Sequence, residues 1–125
     1  MAQRKLNDTT DCNYSVEETR EVGKDVESLS NIPSFISAYG TFKKALPQLF
    51  CEREFWKSHG INQIADLKCQ CKAFVIKKIQ CKGLGNDKLR ATFMVNGNII
   101  RIIEVYSKNH KDIEDKKRIC KYCND

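Results

Sequence analysis

The sequence has no long apolar segment. Its apolar runs are short, and Arg101 separates the isoleucine pairs at 99–100 and 102–103. A membrane-spanning helix needs roughly 18 or more consecutive apolar residues, so we expect no membrane partner. The first residues also lack the apolar core of a signal peptide, and no internal repeat or low-complexity segment is visible. With 125 residues, the chain is too short for a transporter or a large multi-step enzyme.

The length fits one domain, preceded by a short polar segment. Residues 1–13 are polar and show no periodicity, which predicts a loose leader. Residues 14–125 are expected to form the single folded domain. Since no signal peptide is visible, the expected location is the cytoplasm.

The seven cysteines are an odd number, so they cannot all pair within one chain. Without a signal peptide, free thiols are expected for all seven, and no metal or cofactor is expected. A structural zinc site is the alternative, because two short cysteine motifs together offer four thiolates. The motif Cys69-x-Cys71 has a gap of one residue. The motif Cys120-x-x-Cys123 has the two-residue gap that is typical of zinc sites.

Positive charge is concentrated in the second half of the chain. Residues 1–66 carry 8 basic and 10 acidic side chains, whereas residues 67–125 carry 14 basic and 6 acidic ones. A basic half of this kind indicates a polyanion or an acidic protein as partner. A solvated surface that keeps the protein soluble is the alternative explanation.

The first half shows helical patterns. Ser15 precedes two glutamates, which is typical of a helix N-cap, and apolar residues follow with helical spacing to about residue 30. A second helix is expected over residues 37–50, and Pro47 should end or kink it. A third, short helix is expected over residues 61–67 because its apolar side chains recur at i, i+3 and i+4.

The second half shows strand patterns. Residues 72–79 form one β-rich run, and residues 89–106 form two such runs around Asn96-Gly97, a strong hairpin signal. A short charged helix is expected over residues 112–120. The predicted fold is therefore α+β, with N-terminal helices on one face of an antiparallel sheet of three strands and a short C-terminal helix.

The hairpin register predicts which side chains share a face. With Asn96-Gly97 as a two-residue turn, Phe93 lies opposite Ile100 and Thr92 lies opposite Arg101. One face then contains apolar residues that should pack on the helices: Ala91, Phe93, Val95, Ile100 and Ile102. The other face is mixed and has two arginines a diagonal apart: Arg90, Thr92, Met94, Ile99, Arg101 and Ile103.

The mixed face is expected to be open and cationic. Such a surface suits a phosphodiester backbone, since cations bind phosphates and an aromatic ring stacks on a base. An ordinary solvated sheet face is the alternative. His59 lies in the helical half and has no expected role. The residues expected to bind RNA are Lys77, Lys78, Lys82, Lys88, Arg101 and Lys111.

Residues 74–119 resemble the C-terminal half of RelE/ParE-type toxins of toxin–antitoxin modules. The shared features are a strand, a basic loop, an arginine before an apolar strand, a tight turn, a second apolar strand and a Tyr-x-Lys ending. In this sequence, residues 77–82 correspond to the strand and its basic loop, and Arg90 precedes the apolar strand 91–95. The tight turn is Asn96-Gly97, the second apolar strand is 99–105, and the ending is Tyr106-x-Lys108. Residues 41–49 also resemble the early helix of that family, whereas residues 1–36 match it poorly and show no evident first strand.

The resemblance implies a small basic protein that acts on translation. The RelE branch cleaves messenger RNA on the ribosome without a metal, by attack of the 2′-OH on the adjacent phosphate. A cognate antitoxin protein neutralises such toxins. By position, Arg90 matches the arginine that opens the third strand, and Lys108 lies near the basic residue after the last strand. The residues that the resemblance marks as catalytic are Arg90, Tyr106, Lys108 and His110.

Two other functions compete with the ribonuclease. The ParE branch inhibits DNA gyrase and has no nuclease activity, which predicts a basic surface without cleavage. A zinc-stabilised RNA-binding module is the third hypothesis, and it predicts bound metal and loss of the fold with a chelator.

Overall fold

A five-stranded mixed sheet lies at the centre of the fold, with the strand order β1-β5-β4-β3-β2. The computed structural model describes residues 12–84, 88–108 and 114–123. The strands are β1 (Ser15–Glu18), β2 (Ile61–Gln63), β3 (Ala73–Ile79), β4 (Leu89–Asn96) and β5 (Ile99–Ser107). The helices are α1 (Arg20–Leu29), α2 (Phe35–Cys51), α3 (Trp56–His59) and α4 (Lys116–Cys123), with a 3₁₀ turn at Arg53–Phe55. The predicted α+β class and the short C-terminal helix are confirmed.

None of the helices within the described residues has the length and apolarity that a bilayer crossing requires. Residues 1–11 lie outside the described part of the chain, and so does most of the predicted leader.

The first element is a strand where the sequence predicted a helix. β1 pairs with β5 in parallel, so that Ser15 lies opposite Ile99 and Glu18 opposite Ile102. Backbone bonds at both ends anchor the strand, from the Ser15 N–H to Asn98 O at 2.9 Å and from the Thr19 N–H to Ile102 O at 3.0 Å. Helix α1 begins only after Thr19, so the helix start predicted at Ser15 is wrong. Pairing with a distant strand overrides the local capping signal here.

The second helix is confirmed, but the third is misplaced. α2 continues through Pro47 and ends at Cys51, so Pro47 does not terminate it. The predicted helix over 61–67 is wrong, because α3 ends at His59 and residues 61–63 form β2. Gly60 has φ +67°, a left-handed conformation that stops a helix. Ile61 then pairs with Ile76 of β3.

The hairpin is confirmed, with a register shifted by one step. Asn96 lies opposite Ile99, so the turn residues are Gly97 and Asn98, and Gly97 has φ +61°. Phe93 consequently pairs with Ile102 rather than Ile100. The predicted faces remain correct, because this shift moves each partner by two residues and side chains alternate with a period of two.

A bulge in β5 changes the pairing farther from the turn. Phe93 pairs with Ile102 and Thr92 pairs with Glu104, so Ile103 is the extra residue. Beyond the bulge, each β5 side chain lies on the face opposite to the one that uninterrupted alternation would give. It places Val105 with the first core and Glu104 opposite Thr92.

Helices α1 and α2 pack on one face of the sheet, which we call the first face. The sheet side chains there include Ala91, Phe93, Ile100 and Ile102, as predicted. The helices contribute the buried residues Val22, Leu29, Phe35, Tyr39, Phe42 and Leu46. An aromatic group reinforces this core, in which Phe50 lies 5.0 Å from Phe74 and 5.6 Å from Phe93 between ring centroids.

The opposite side of the sheet, the second face, is covered instead of open. Ile119 and Tyr122 of α4 pack there on Met94, Ile103 and neighbouring residues. The predicted open cationic face is therefore wrong over its central part. The side chains of Met94 and Ile103 supply apolar area whose burial drives this second core.

Six cysteines pair as three disulfides, so the expectation of seven free thiols is wrong. Cys12 bonds to Cys51, Cys69 to Cys120, and Cys71 to Cys123. Cys81 is buried and unpaired. This pairing is the form that an oxidising environment maintains, whereas the cytosol that the sequence led us to expect keeps such thiols reduced.

Two glycines provide a matched stability test. A Cβ at Gly83 would overlap the carbonyl oxygen of Pro33, whereas a Cβ at Gly23 in α1 would meet no atom within 4 Å. We expect Gly83→Ala to lower the free energy of unfolding by about 1–3 kcal/mol, as overpacking does. Gly23→Ala should raise it by about 0.5–1 kcal/mol through helix propensity. Urea unfolding of both variants checks this, and an unchanged midpoint for Gly83→Ala would contradict the close approach.

Candidate nucleic-acid site

Arg90 and Tyr106 form a cross-strand pair at the end of the hairpin away from its turn. They are direct partners in the β4–β5 ladder, so their side chains lie on the same face. Arg90 is half-buried, while Tyr106 is 5% exposed. The register predicted from the sequence, with Phe93 opposite Ile100, would place Ile103 opposite Arg90. The β5 bulge and the shifted turn bring Tyr106 there instead.

Burial determines the protonation state of Tyr106. It raises the pKa of the phenol to about 12, and the nearby carboxylates of Glu114 and Glu104 add to this. The positive charge of the neighbouring Arg90 acts in the opposite direction. The hydroxyl therefore stays protonated at neutral pH, and forming a phenolate there costs more than for an exposed tyrosine.

The raised pKa predicts alkaline destabilisation. Because the folded state holds this proton more tightly than the unfolded chain, the resulting stabilisation is complete below pH 10 and is lost as pH rises towards about 12. We expect the free energy of unfolding to fall over that interval and Tyr106→Phe to make the fall shallower. Some slope should remain, because burial also raises the pKa of Tyr39. Urea unfolding between pH 8 and 12 tests this, and equal slopes in both proteins would contradict it.

Two lysines extend the ladder by one step. The Lys108 N–H donates to the Lys88 carbonyl at 2.7 Å, so these residues face each other beyond the strand ends. Alternation along both strands places them on the same face as Arg90 and Tyr106. Lys108 is exposed and Lys88 is half-buried.

A lysine from β3 completes the group. Ile76 pairs with Ala91 and Ile79 pairs with Leu89, so the chain between them, including Lys77, runs alongside Arg90. The fold thus brings together, from three adjacent strands, basic residues that the sequence analysis had assigned to RNA binding or catalysis. We call this group the cationic end: Lys77, Lys88, Arg90 and Lys108.

Other predicted residues lie elsewhere. Lys78 and Lys82 line a groove of about 850 Å³ between α2 and β3. Arg101 pairs with Met94, not Thr92, so the predicted diagonal with Arg90 is wrong. Its guanidinium lies 5.5 Å from the Tyr122 ring centroid and 3.7 Å from Glu17. His110 and Lys111 lie outside the described residues.

Acidic residues border the cationic end, and the sequence did not single them out. Glu104 is buried and accepts a hydrogen bond from the Asp115 N–H at 3.0 Å. Asp115 in turn accepts one from the Arg118 N–H at 3.0 Å, the geometry of a helix N-cap. An aspartate three residues before an arginine at the start of a helical pattern was the available signal. These contacts fix the start of α4 beside the site.

A part-buried ion pair joins α1, α4 and β5. Both terminal guanidinium nitrogens of Arg118 contact the Asp25 carboxylate, at 2.7 and 3.1 Å. Asp25 also accepts from the Val105 N–H at 3.0 Å, and Arg118 donates to the Ile103 carbonyl at 2.9 Å. This pair occupies the edge of β5 beyond the end of β1. The bonds with Asp25 raise the pKa of Arg118, which therefore remains charged.

No protein-family model, curated protein or solved structure matches this chain. The assignment of a function therefore rests on the residues and their geometry.

Proposed function

We propose that this protein is an endoribonuclease of the RelE/ParE toxin type, which cleaves messenger RNA at the cationic end. One observation carries the proposal. Three adjacent strands bring four basic residues to one end of the sheet, and Arg90 among them is the ladder partner of the buried Tyr106. The positive balance of residues 67–125 supports an anionic substrate. The resemblance of residues 74–119 supports RNA in particular.

Arg90 is proposed to bind the phosphate at which cleavage occurs. Its guanidinium stays charged and contacts two oxygens at once, which suits the pentacoordinate transition state better than an ammonium does. Tyr106 is a positioning residue in this scheme, since it is the ladder partner of Arg90 and its buried hydroxyl keeps its proton at neutral pH.

The lysines are proposed to bind the flanking phosphates. Lys108 is exposed beside Lys88. Two positive charges there would stabilise the negative charge that develops as the 2′-OH attacks the phosphorus and the 5′-oxygen leaves. His110 stays a predicted acid or base for the proton transfers and lies outside the described residues. A cognate antitoxin and the ribosome are the proposed protein and ribonucleoprotein partners.

Controlled expression tests the function in cells. We expect growth arrest and fragmented messenger RNA when the wild type is induced in a bacterial host that has an oxidising cytoplasm and no antitoxin. Lys88→Ala/Lys108→Ala should relieve both effects at equal soluble protein. Lys24→Ala/Lys44→Ala is the charge-matched control, since these exposed lysines lie on the helical side, and it should arrest growth like the wild type.

Two outcomes would contradict the ribonuclease. Arrest with intact messenger RNA and inhibited gyrase supercoiling would favour the gyrase-directed alternative. The absence of arrest by the soluble wild type would remove the toxin proposal altogether.

A further inference from the structure

Two neighbouring disulfides join α4 to the segment before β3. Cys69 and Cys71 lie two residues apart in that segment, and Cys120 and Cys123 lie one turn apart on α4. The Cα–Cα distances are 5.5 Å for Cys69–Cys120 and 5.8 Å for Cys71–Cys123. Four sulfur atoms are therefore concentrated at one contact between two chain segments. Cys12, Cys51 and Cys81 take no part in it.

From this arrangement we propose that reduction of the two disulfides converts these four cysteines into a Zn²⁺ site. Tetrahedral coordination by four thiolates is the usual chemistry of structural zinc, with ligands supplied as pairs from two segments. In the disulfide form, no group of three or more metal-ligating side chains is available among the described residues. The disulfide state and the metal-bound state are thus mutually exclusive.

The surroundings suit the charge of such a centre. Four thiolates and one Zn²⁺ carry two net negative charges, and nearby cations lower the pKa of cysteine thiols. In the sequence, Lys68 and Lys72 flank the first cysteine motif, and Lys116 and Lys117 lie on α4. Arg118 and Lys121 of α4 instead pair with Asp25 and Glu21.

The conversion balances with a dithiol as reductant. Each protein disulfide takes two electrons and two protons from a dithiol, which becomes a disulfide, so two dithiols give four cysteine thiols. Zn²⁺ then displaces four protons as the thiolates coordinate it. The metal would replace the covalent link between α4 and the 69–71 segment. It would keep Ile119 and Tyr122 on the second core under reducing conditions.

Metal analysis of the full chain tests the site. The wild type is reduced with a phosphine under inert gas, incubated with ZnCl₂ and freed of unbound metal, and its zinc content is measured by native mass spectrometry. We expect about one zinc per reduced chain, none in the oxidised chain, and a higher melting temperature of the reduced protein with zinc than without it. A reduced wild type without bound zinc would overturn the proposal, whatever the variants do.

Cysteine variants locate the metal. Cys12→Ser/Cys51→Ser removes the remote disulfide and should still bind about one zinc after reduction. Cys120→Ser/Cys123→Ser should lose that zinc, and Cys69→Ser/Cys71→Ser should give the same loss from the other segment. Stoichiometric zinc in either of these last two variants would place the metal elsewhere and overturn the assignment. Neither measurement uses RNA, so the outcome is independent of the proposed ribonuclease activity.

Discussion

Arg90→Ala should lower the rate of RNA cleavage by about 10²–10³-fold. The substitution removes the proposed phosphate ligand from the cationic end, and a lost electrostatic contact to a transition state typically costs about 3–4 kcal/mol. We expect Arg90→Lys to recover only part of the rate, because lysine keeps the charge but lacks the planar fork. The measurement is the single-turnover rate of cleavage of a labelled RNA by the purified, oxidised protein.

A matched arginine controls for lost charge. Arg53 is exposed on the helical side, where its guanidinium lies 4.3 Å from the Trp56 ring centroid. Arg53→Ala should cleave at the wild-type rate. Because Arg90 is half-buried beside Tyr106, Arg90→Ala should also lose about 1 kcal/mol of stability, so rates are compared at equal folded fraction. Equal rates for Arg90→Ala and the wild type would remove Arg90 from the mechanism.

Arg118→Ala should produce the largest loss of stability among the charged-residue variants, about 2–3 kcal/mol, as the loss of hydrogen bonds between charged groups does. Only 15% of the Arg118 side chain and 14% of the Asp25 side chain are exposed. Removing Arg118 leaves the part-buried Asp25 carboxylate without its counter-ion. The Ile103 carbonyl also loses a donor. Urea unfolding measures the loss, with exposed Lys117→Ala on the same helix as the control.

A double-mutant cycle separates the pair from the rest of the fold. If Asp25 and Arg118 act on each other, Asp25→Ala/Arg118→Ala should be more stable than the two single losses predict when added. Strict additivity would mean that each residue stabilises the protein through other contacts.

Local sequence patterns were sufficient to predict the elements whose structure depends mainly on neighbouring residues. The hairpin followed from two β-rich runs around Asn96-Gly97, and its apolar face followed from alternation. The exact partners did not, because the turn lies one residue later in the chain than assumed, with Gly97 as its first residue instead of its second. Helix α2 was also predictable, since a long apolar pattern outweighs a single late Pro47.

Contacts between distant residues explain the elements that were missed. β1 is only four residues long. It is a strand because it pairs with β5, and this pairing cannot be predicted from residues 15–18 alone. Likewise, nothing in residues 89–106 indicates that Ile119 and Tyr122 cover the second face. The disulfides were missed because neither the number of cysteines nor the expected compartment shows which cysteines lie close together in the fold.

The candidate site was predictable in composition but not in arrangement. Arg90, Tyr106 and Lys108 were identified and do lie together, yet the bulge at Ile103 is what places Tyr106 opposite Arg90. Asp25 was overlooked although it follows Val22 by three residues, which puts a carboxylate on the apolar side of α1. A charge at such a position signals a buried partner, and Arg118 is that partner.

An RNA with one 2′-deoxy nucleotide tests the central claim most directly. The cleavage site in a labelled RNA is mapped first, and the 2′-OH on the 5′ side of that bond is then removed. The account predicts that the wild type no longer cuts there and that products from the unmodified RNA carry a 2′,3′-cyclic phosphate. Unchanged cleavage of the deoxy substrate, or no cleavage of any RNA either free or on ribosomes, would contradict it.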